Sequence, residues 1–170
     1  MKRAMKRLLA AGCVLAIAAG CSACGGEAAP VDLNFNYSFT GVLTQNGAES
    51  QATFTHGETG WTVTYLAPET LAGLTLSAQN DACTLTYQGL RYEGLAAELP
   101  QSAAARLTTQ ALDDAALSGD ADFTKSGGFT QARGLVDGAD YTLKFDGKTP
   151  VALSVEGEGL TVEISDFQKT

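Results

Sequence analysis

From Gly60 to Gln88 the chain is written in period two. Trp61-Thr62-Val63-Thr64-Tyr65, Leu74-Thr75-Leu76-Ser77 and Cys83-Thr84-Leu85-Thr86-Tyr87 each alternate large apolar side chains with hydroxyls. Successive residues of a strand point to opposite faces, so this spelling makes one greasy face and one hydroxyl face. Three strands written alike predict a curved antiparallel sheet with a lined concavity. Upstream, Leu33-Asn34-Phe35-Asn36-Tyr37-Ser38-Phe39-Thr40 alternates as cleanly, and Gly41 is expected to end it. Asn46-Gly47 reads as a hairpin turn, because both residues tolerate positive φ. The return strand, Ser50 to His56, points Ala52 and Phe54 inward, and Gly57-Glu58-Thr59-Gly60 turns into the Trp61 strand. Pro68 to Leu74 interrupts the sheet; proline cannot donate to a ladder, so a rim loop or single helical turn is expected. Asn80-Asp81 is a further turn.

After Gln88 the pattern loosens through Gly94. Leu99-Pro100-Gln101-Ser102 then opens a run rich in Ala, Leu and Gln that reaches Leu117 and stops at Ser118-Gly119. Proline near the start and glycine past the end suit a helix. Ala104, Leu107, Ala111 and Ala115 give it a narrow apolar stripe at helical spacing. Beyond it, Asp122 to Leu135 is glycine-broken and weak. Tyr141 to Phe145, Val151 to Val155 and Leu160 to Ile164 alternate again, joined by Asp146-Gly147-Lys148 and Gly157-Glu158-Gly159. The expected fold is mainly β (α+β): a curved antiparallel sheet or half-barrel with one helix packed across its concave face.

Composition locates the chain before it says what the chain does. The 170 residues are 45% hydrophobic and 18% charged, enough for one ordinary domain with a real core. Lys2, Arg3, Lys6 and Arg7 crowd the start. Without them, seven Lys and Arg face nineteen Asp and Glu, a charge of −12. That charge repels phosphate backbones and anionic headgroups, which excludes nucleic acid as a partner. The basic start precedes an apolar run, Leu8 to Ala19, too short for the ~20 residues of a spanning helix and built like a secretory signal. Ala18-Ala19-Gly20-Cys21-Ser22 resembles the lipobox of bacterial lipoproteins, with Ala18 where leucine is usual. The resemblance implies acylation of Cys21, with Cys24 as the rival site, and an extracytoplasmic domain anchored to the envelope membrane. An ordinary secretory peptide leaving a free soluble domain is the alternative. The expected division is therefore a signal peptide at 1–20, a flexible tether at 21–31 and one half-barrel domain at 32–170. Cys13 falls in the signal, and Cys83 shares its face with Leu85 and Tyr87 as a core thiol.

Catalytic and metal signatures are missing. His56 is the one histidine and no Gly-x-Ser-x-Gly elbow is present, which points to neither a triad nor a zinc site. Asp113-Asp114 with Asp120-x-Asp122 lacks the glycine and glutamate of a calcium loop and reads as solvated helix-end carboxylates. Gly157-x-Gly159 is a turn. The expectation is a protein without catalysis, cofactor or metal.

One face is left to explain. Phe35, Tyr37, Phe39, Phe54, Trp61, Val63, Tyr65, Leu74, Leu76, Leu85 and Tyr87 would share it. A plain core under the helix accounts for any one of them. Taken together they form a broad ring-rich face against a slender helix, so loops, a ligand or a partner must meet the remainder. The order of lipobox, aromatic/threonine strands, Pro68–Leu74 insertion, helix after Leu99-Pro100, Asp140 to Asp146 and a last strand ending Ser165-Asp166-Phe167 resembles the LolA/LolB-like lipoprotein-carrier superfamily. That likeness of pattern covers nearly all the mature chain. It implies an open half-barrel whose cavity takes acyl chains or other apolar ligands. This chain departs from it in being anchored and in offering one clear lid helix. The expected role is binding of a lipid or acylated protein on that face. A protein-interaction or envelope-sensing module with a packed core is the alternative, and a hydrolase a distant third.

Overall fold

The computed structural model describes residues 26–31, 33, 36–80, 82–95, 103–117 and 121–169. Period-two alternation becomes strand wherever it is regular: β1 (Tyr37–Gln45), β2 (Ala48–Gly57), β3 (Gly60–Ala67), β4 (Thr75–Gln79) and β5 (Ala82–Tyr87). β6 (Leu90–Leu95) follows, then the helix α1 (Ala104–Leu117), then β7 (Asp122–Ser126), β8 (Phe129–Val136), β9 (Ala139–Asp146), β10 (Thr149–Val155) and β11 (Leu160–Lys169). The eleven strands make one antiparallel sheet in the order β6-β5-β4-β3-β2-β1-β11-β10-β9-β8-β7. The first and last strands meet at the centre, and two meanders run outward from that seam. The sheet does not close, and α1 lies against it, chiefly on β8 and β9.

Register carries the inward side chains from strand to strand. Phe39, Phe54, Val63, Leu76, Leu85 and Tyr92 stand opposite one another from β1 to β6. Leu43, Val162, Leu153, Leu143, Ala132 and Phe123 do the same from β1 to β7. That shared face is curled. His56 on β2 and Tyr141 on β9 are four strand steps apart, about 19 Å across a flat sheet at ~4.8 Å per step. Yet they reach neighbouring helix residues, His56 Nε2 lying 3.2 Å from Asp113 Oδ1 and Tyr141 donating to Asp114 Oδ2 at 2.8 Å. Two adjacent carboxylates can meet both strands only if the sheet wraps around the helix.

Four local expectations change. β1 runs straight through Gly41, because the site is crowded: a methyl there would lie 3.1 Å from Val162 and 3.2 Å from the Phe54 ring. The loosened stretch after Gln88 is the outer strand β6, reached through Gln88-Gly89, both at positive φ. The weak segment from Asp122 is a true hairpin, β7 and β8, folded at Gly127-Gly128. The helix is buried well beyond its expected stripe, with Ala105, Leu107, Thr108, Thr109, Ala111, Leu112 and Ala115 all inside. Its threonines tolerate burial because each hydroxyl donates back to a carbonyl one turn earlier, Thr108 to Ala104 at 2.7 Å and Thr109 to Ala105 at 3.1 Å.

Described residues before β1 are packed as well. Residues 26–31, assigned by the sequence to the tether, lie along β7: Glu27 bridges Thr124, Ala28 donates to the Phe123 carbonyl and Lys125 to the Gly26 carbonyl. Ala28, Val31 and Leu33 are buried in the same hydrophobic cluster as the sheet.

Candidate ligand cavity

Ala103 leads into the helix, which begins Ala104-Ala105-Arg106, and three small side chains cannot fill the space over β1 to β3. A cavity of about 320 Å³ remains there. Leu43, Trp61, Tyr65, Leu71, Leu76 and the alanines form its walls, and Gln45, Glu49, Ser50 and Arg106 stand at its polar rim. It opens to solvent, and Trp61 and Tyr65 are only partly buried. Burial pushes the Tyr65 hydroxyl above its ordinary pKa.

One wall is a loop held in place by backbone. Leu71 and Ala72 donate to the Pro68 carbonyl, making the single helical turn the sequence suggests. Tyr65 then exchanges hydrogen bonds with the end of this loop: Tyr65 N–H donates to the Leu74 carbonyl at 2.8 Å, and Gly73 N–H to the Tyr65 carbonyl at 2.9 Å. The Tyr87 hydroxyl donates to the Thr70 carbonyl at 2.7 Å, bracing the loop from β5. Leu71 is thereby turned toward the cavity.

The eleven residues of the expected face separate into groups. Tyr37, Phe39, Phe54 and Val63 are sealed in the core, each no more than 1% exposed. Phe39 and Phe54 stack at 4.5 Å between centroids, Tyr37 stacks on His56 at 5.0 Å, and Phe167 packs against Tyr37 and Phe39. They hold the sheet together and do not reach the cavity. Trp61, Tyr65 and Leu76 line it. Leu74, Leu85 and Tyr87 are half-buried on the adjoining wing, where Leu90 and Tyr92 are 75% and 60% exposed. Phe35 and Cys21, with Cys24, lie outside the described residues. Leu43, Leu71 and Ala104 were not singled out as lining, Leu43 because the strand was expected to stop at Gly41 and Leu71 because it stands in a loop.

Several polar groups cluster near the helix, and the buried Tyr37 hydroxyl has no hydrogen-bond partner among the described residues. His56 faces Asp113, its Nε2 3.2 Å from Oδ1. Burial, and then the charge of the nearby Asp113, pushes the Tyr37 hydroxyl well above its ordinary pKa. Burial and the hydrogen bond to Asp114 do the same for Tyr141. Cys83 is a buried free thiol whose pKa is raised by burial. Arg106 pairs with Asp137 at 3.0 Å. Of the acids weighed for calcium, Asp113 and Asp114 have the partners just given, Asp122 borders a separate hollow with Asp140 and Glu156, and Asp120 lies outside the described residues. No group of three His, Cys, Asp or Glu is placed to hold a metal among the described residues.

No protein-family model and no curated protein matches this sequence. Solved structures do. An uncharacterized conserved protein from Thermus thermophilus superposes with a TM-score of 0.50 at 12% identity, over 83% of each chain. A LolA superfamily protein from Nitrosomonas europaea is a looser neighbour, with a TM-score of 0.38 at 10% identity over 79% of this chain and 86% of that one. The likeness to the Thermus protein is one of fold alone.

Proposed function

We propose that this chain is a lipid-anchored extracytoplasmic protein that binds an apolar ligand, an acyl chain or acylated protein, without catalysis. The observation that carries the reading is the cavity beside the first turn of α1, preformed, apolar-walled and open. Its volume of about 320 Å³ falls at the low end of the ~300–1,000 Å³ typical of ligand sites, which suits a single chain or ring system. Affinity would come from burying that body at ~25 cal/mol per Å². Gln45, Glu49 and Ser50 at the rim would hold a polar end outside it. Attachment at Cys21 is part of the proposal and rests on the lipobox-like sequence.

The test is an environment-sensitive apolar dye, displaced by fatty acid. Ala104→Trp fills the cavity from the helix side, and should weaken dye binding about tenfold or more, ~1.4 kcal/mol, while the protein stays folded. Equal binding by wild type and Ala104→Trp would place the ligand elsewhere. The sealed cluster of Tyr37, Phe39, Phe54 and Val63 favours a second reading, an interaction module with a packed centre. No dye binding by a folded protein would select it.

A further inference from the structure

The domain's net charge conceals a separation along its strands. Every lysine after the leader lies at one end of the sheet: Lys125 near the close of β7, Lys144 late in β9, Lys148 in the β9–β10 turn and Lys169 at the end of β11. Asp146, Asp166 and Glu27 are the acids among them, and Glu58 stands at the same end in the β2–β3 turn. At the other end of the same strands stand Asp122, Asp137, Asp140, Glu156 and Glu158, with Arg133 and Arg106. The described chain begins at the lysine end. Gly26 accepts from Lys125, and its antiparallel pairing with β7 aims its N-terminal side at the Gly127-Gly128 turn. Four residues separate Cys21 from Gly26, a reach of about 17 Å at ~3.4 Å per residue.

We infer that the lysine end of β7–β11 is a docking face for an anionic lipid surface, the membrane that holds the anchor. The inference rests on the anchor proposed above and adds an orientation to it. An anchored domain needs only a bias, and the difference between its ends supplies one: the lysines, worth ~1 kcal/mol each near an anionic leaflet, offset the acids among them, whereas acids outnumber bases at the opposite end. The acidic end lies about 23 Å away along β9, at ~3.3 Å per residue. With a Debye length of ~8 Å its repulsion is screened. The mouth of the cavity, between the Pro68–Gly73 loop and the β1–β2 turn, belongs to the end opposite the lysines. Docked in this way, the domain turns its cavity away from its own membrane.

The test uses the full acylated chain reconstituted into vesicles of phosphatidylcholine, or of phosphatidylcholine with phosphatidylglycerol at about 7:3, anionic enough to set up the surface potential. Amine-reactive labelling is read at each lysine by mass spectrometry. Lys125 and Lys148 should label several-fold more slowly on the anionic vesicles, and the difference should vanish near ~1 M salt, where the Debye length is ~3 Å. The double variant Lys125→Glu/Lys148→Glu should remove the remaining protection of Lys169, whereas Arg133→Gln should leave the wild-type pattern. Acylated protein whose lysines label alike on both vesicle types would overturn the docking face and leave the anchor intact. An unacylated N-terminus in the starting material would overturn the anchor, and the docking face with it.

Discussion

At the scale of the residue, neighbours on one strand face serve different ends. Phe54 is stacked on Phe39 and 1% exposed, so Phe54→Ala should cost ~3–5 kcal/mol in chemical denaturation. Trp61 stands two positions before Val63 on the same face but at the cavity wall. Trp61→Ala should cost much less stability than Phe54→Ala and should impair dye binding, whereas Phe54→Ala acts on folding. Gly134 is fixed by close approach: a methyl there would sit 2.5 Å from Asp114 Oδ2 and 2.7 Å from the Tyr141 ring. Gly134→Ala should therefore destabilise by ~1–3 kcal/mol, measured the same way. The buried tyrosines set an alkaline limit. In the unfolded chain their hydroxyls titrate near ~10, whereas Tyr37 and Tyr141 hold their protons to higher pH when folded. Above about pH 10 the unfolded state thus releases protons the folded state keeps, so this contribution to stability is intact below ~10 and falls above it. Denaturation midpoints between about pH 8 and 11 should show that fall, and Tyr37→Phe should make it shallower.

At the scale of the element, what could be read depended on whether the pattern was local. β3, β4 and β5 were legible because side-chain alternation is written into consecutive residues, and Asn46-Gly47 because both residues adopt positive φ, at 50° and 81°. The hairpins at Gln88-Gly89 and Asp137-Gly138 use the same geometry in less regular surroundings. Gly41 misled because a glycine that breaks a pattern and one required by packing are spelled alike; the contacts of Phe54 and Val162 lie far away in sequence. The helix was legible as a helix, but its depth was not. A four-residue stripe describes a helix lying on a flat sheet, whereas this sheet curls around α1 and buries Leu112 and Thr109 on other faces. Leu112→Ala should accordingly cost ~2–5 kcal/mol, as deep in the core as Leu107, although the stripe omitted it. A loss under ~1 kcal/mol in the denaturation curve would mean that the trough is shallower than described.

At the scale of the molecule, the sheet has more inward face than its helix covers. α1 sits on β8 and β9, and the mismatch falls on β3 to β6, where the walls are Trp61, Tyr65 and Leu76 and the outer wing carries Leu85, Tyr87 and Tyr92. Breadth of face was legible from period two alone. The site was legible only in part, because the loop residue Leu71 and the small side chains at the start of α1 shape the cavity through tertiary placement. The most direct test is native mass spectrometry of the protein isolated from cells under gentle conditions. The expected spectrum contains, besides the protein itself, a population heavier by one noncovalently bound apolar molecule, lost on mild activation and greatly reduced in Ala104→Trp. A folded protein that carries no such mass, and takes up no fatty acid added in excess, would contradict the account.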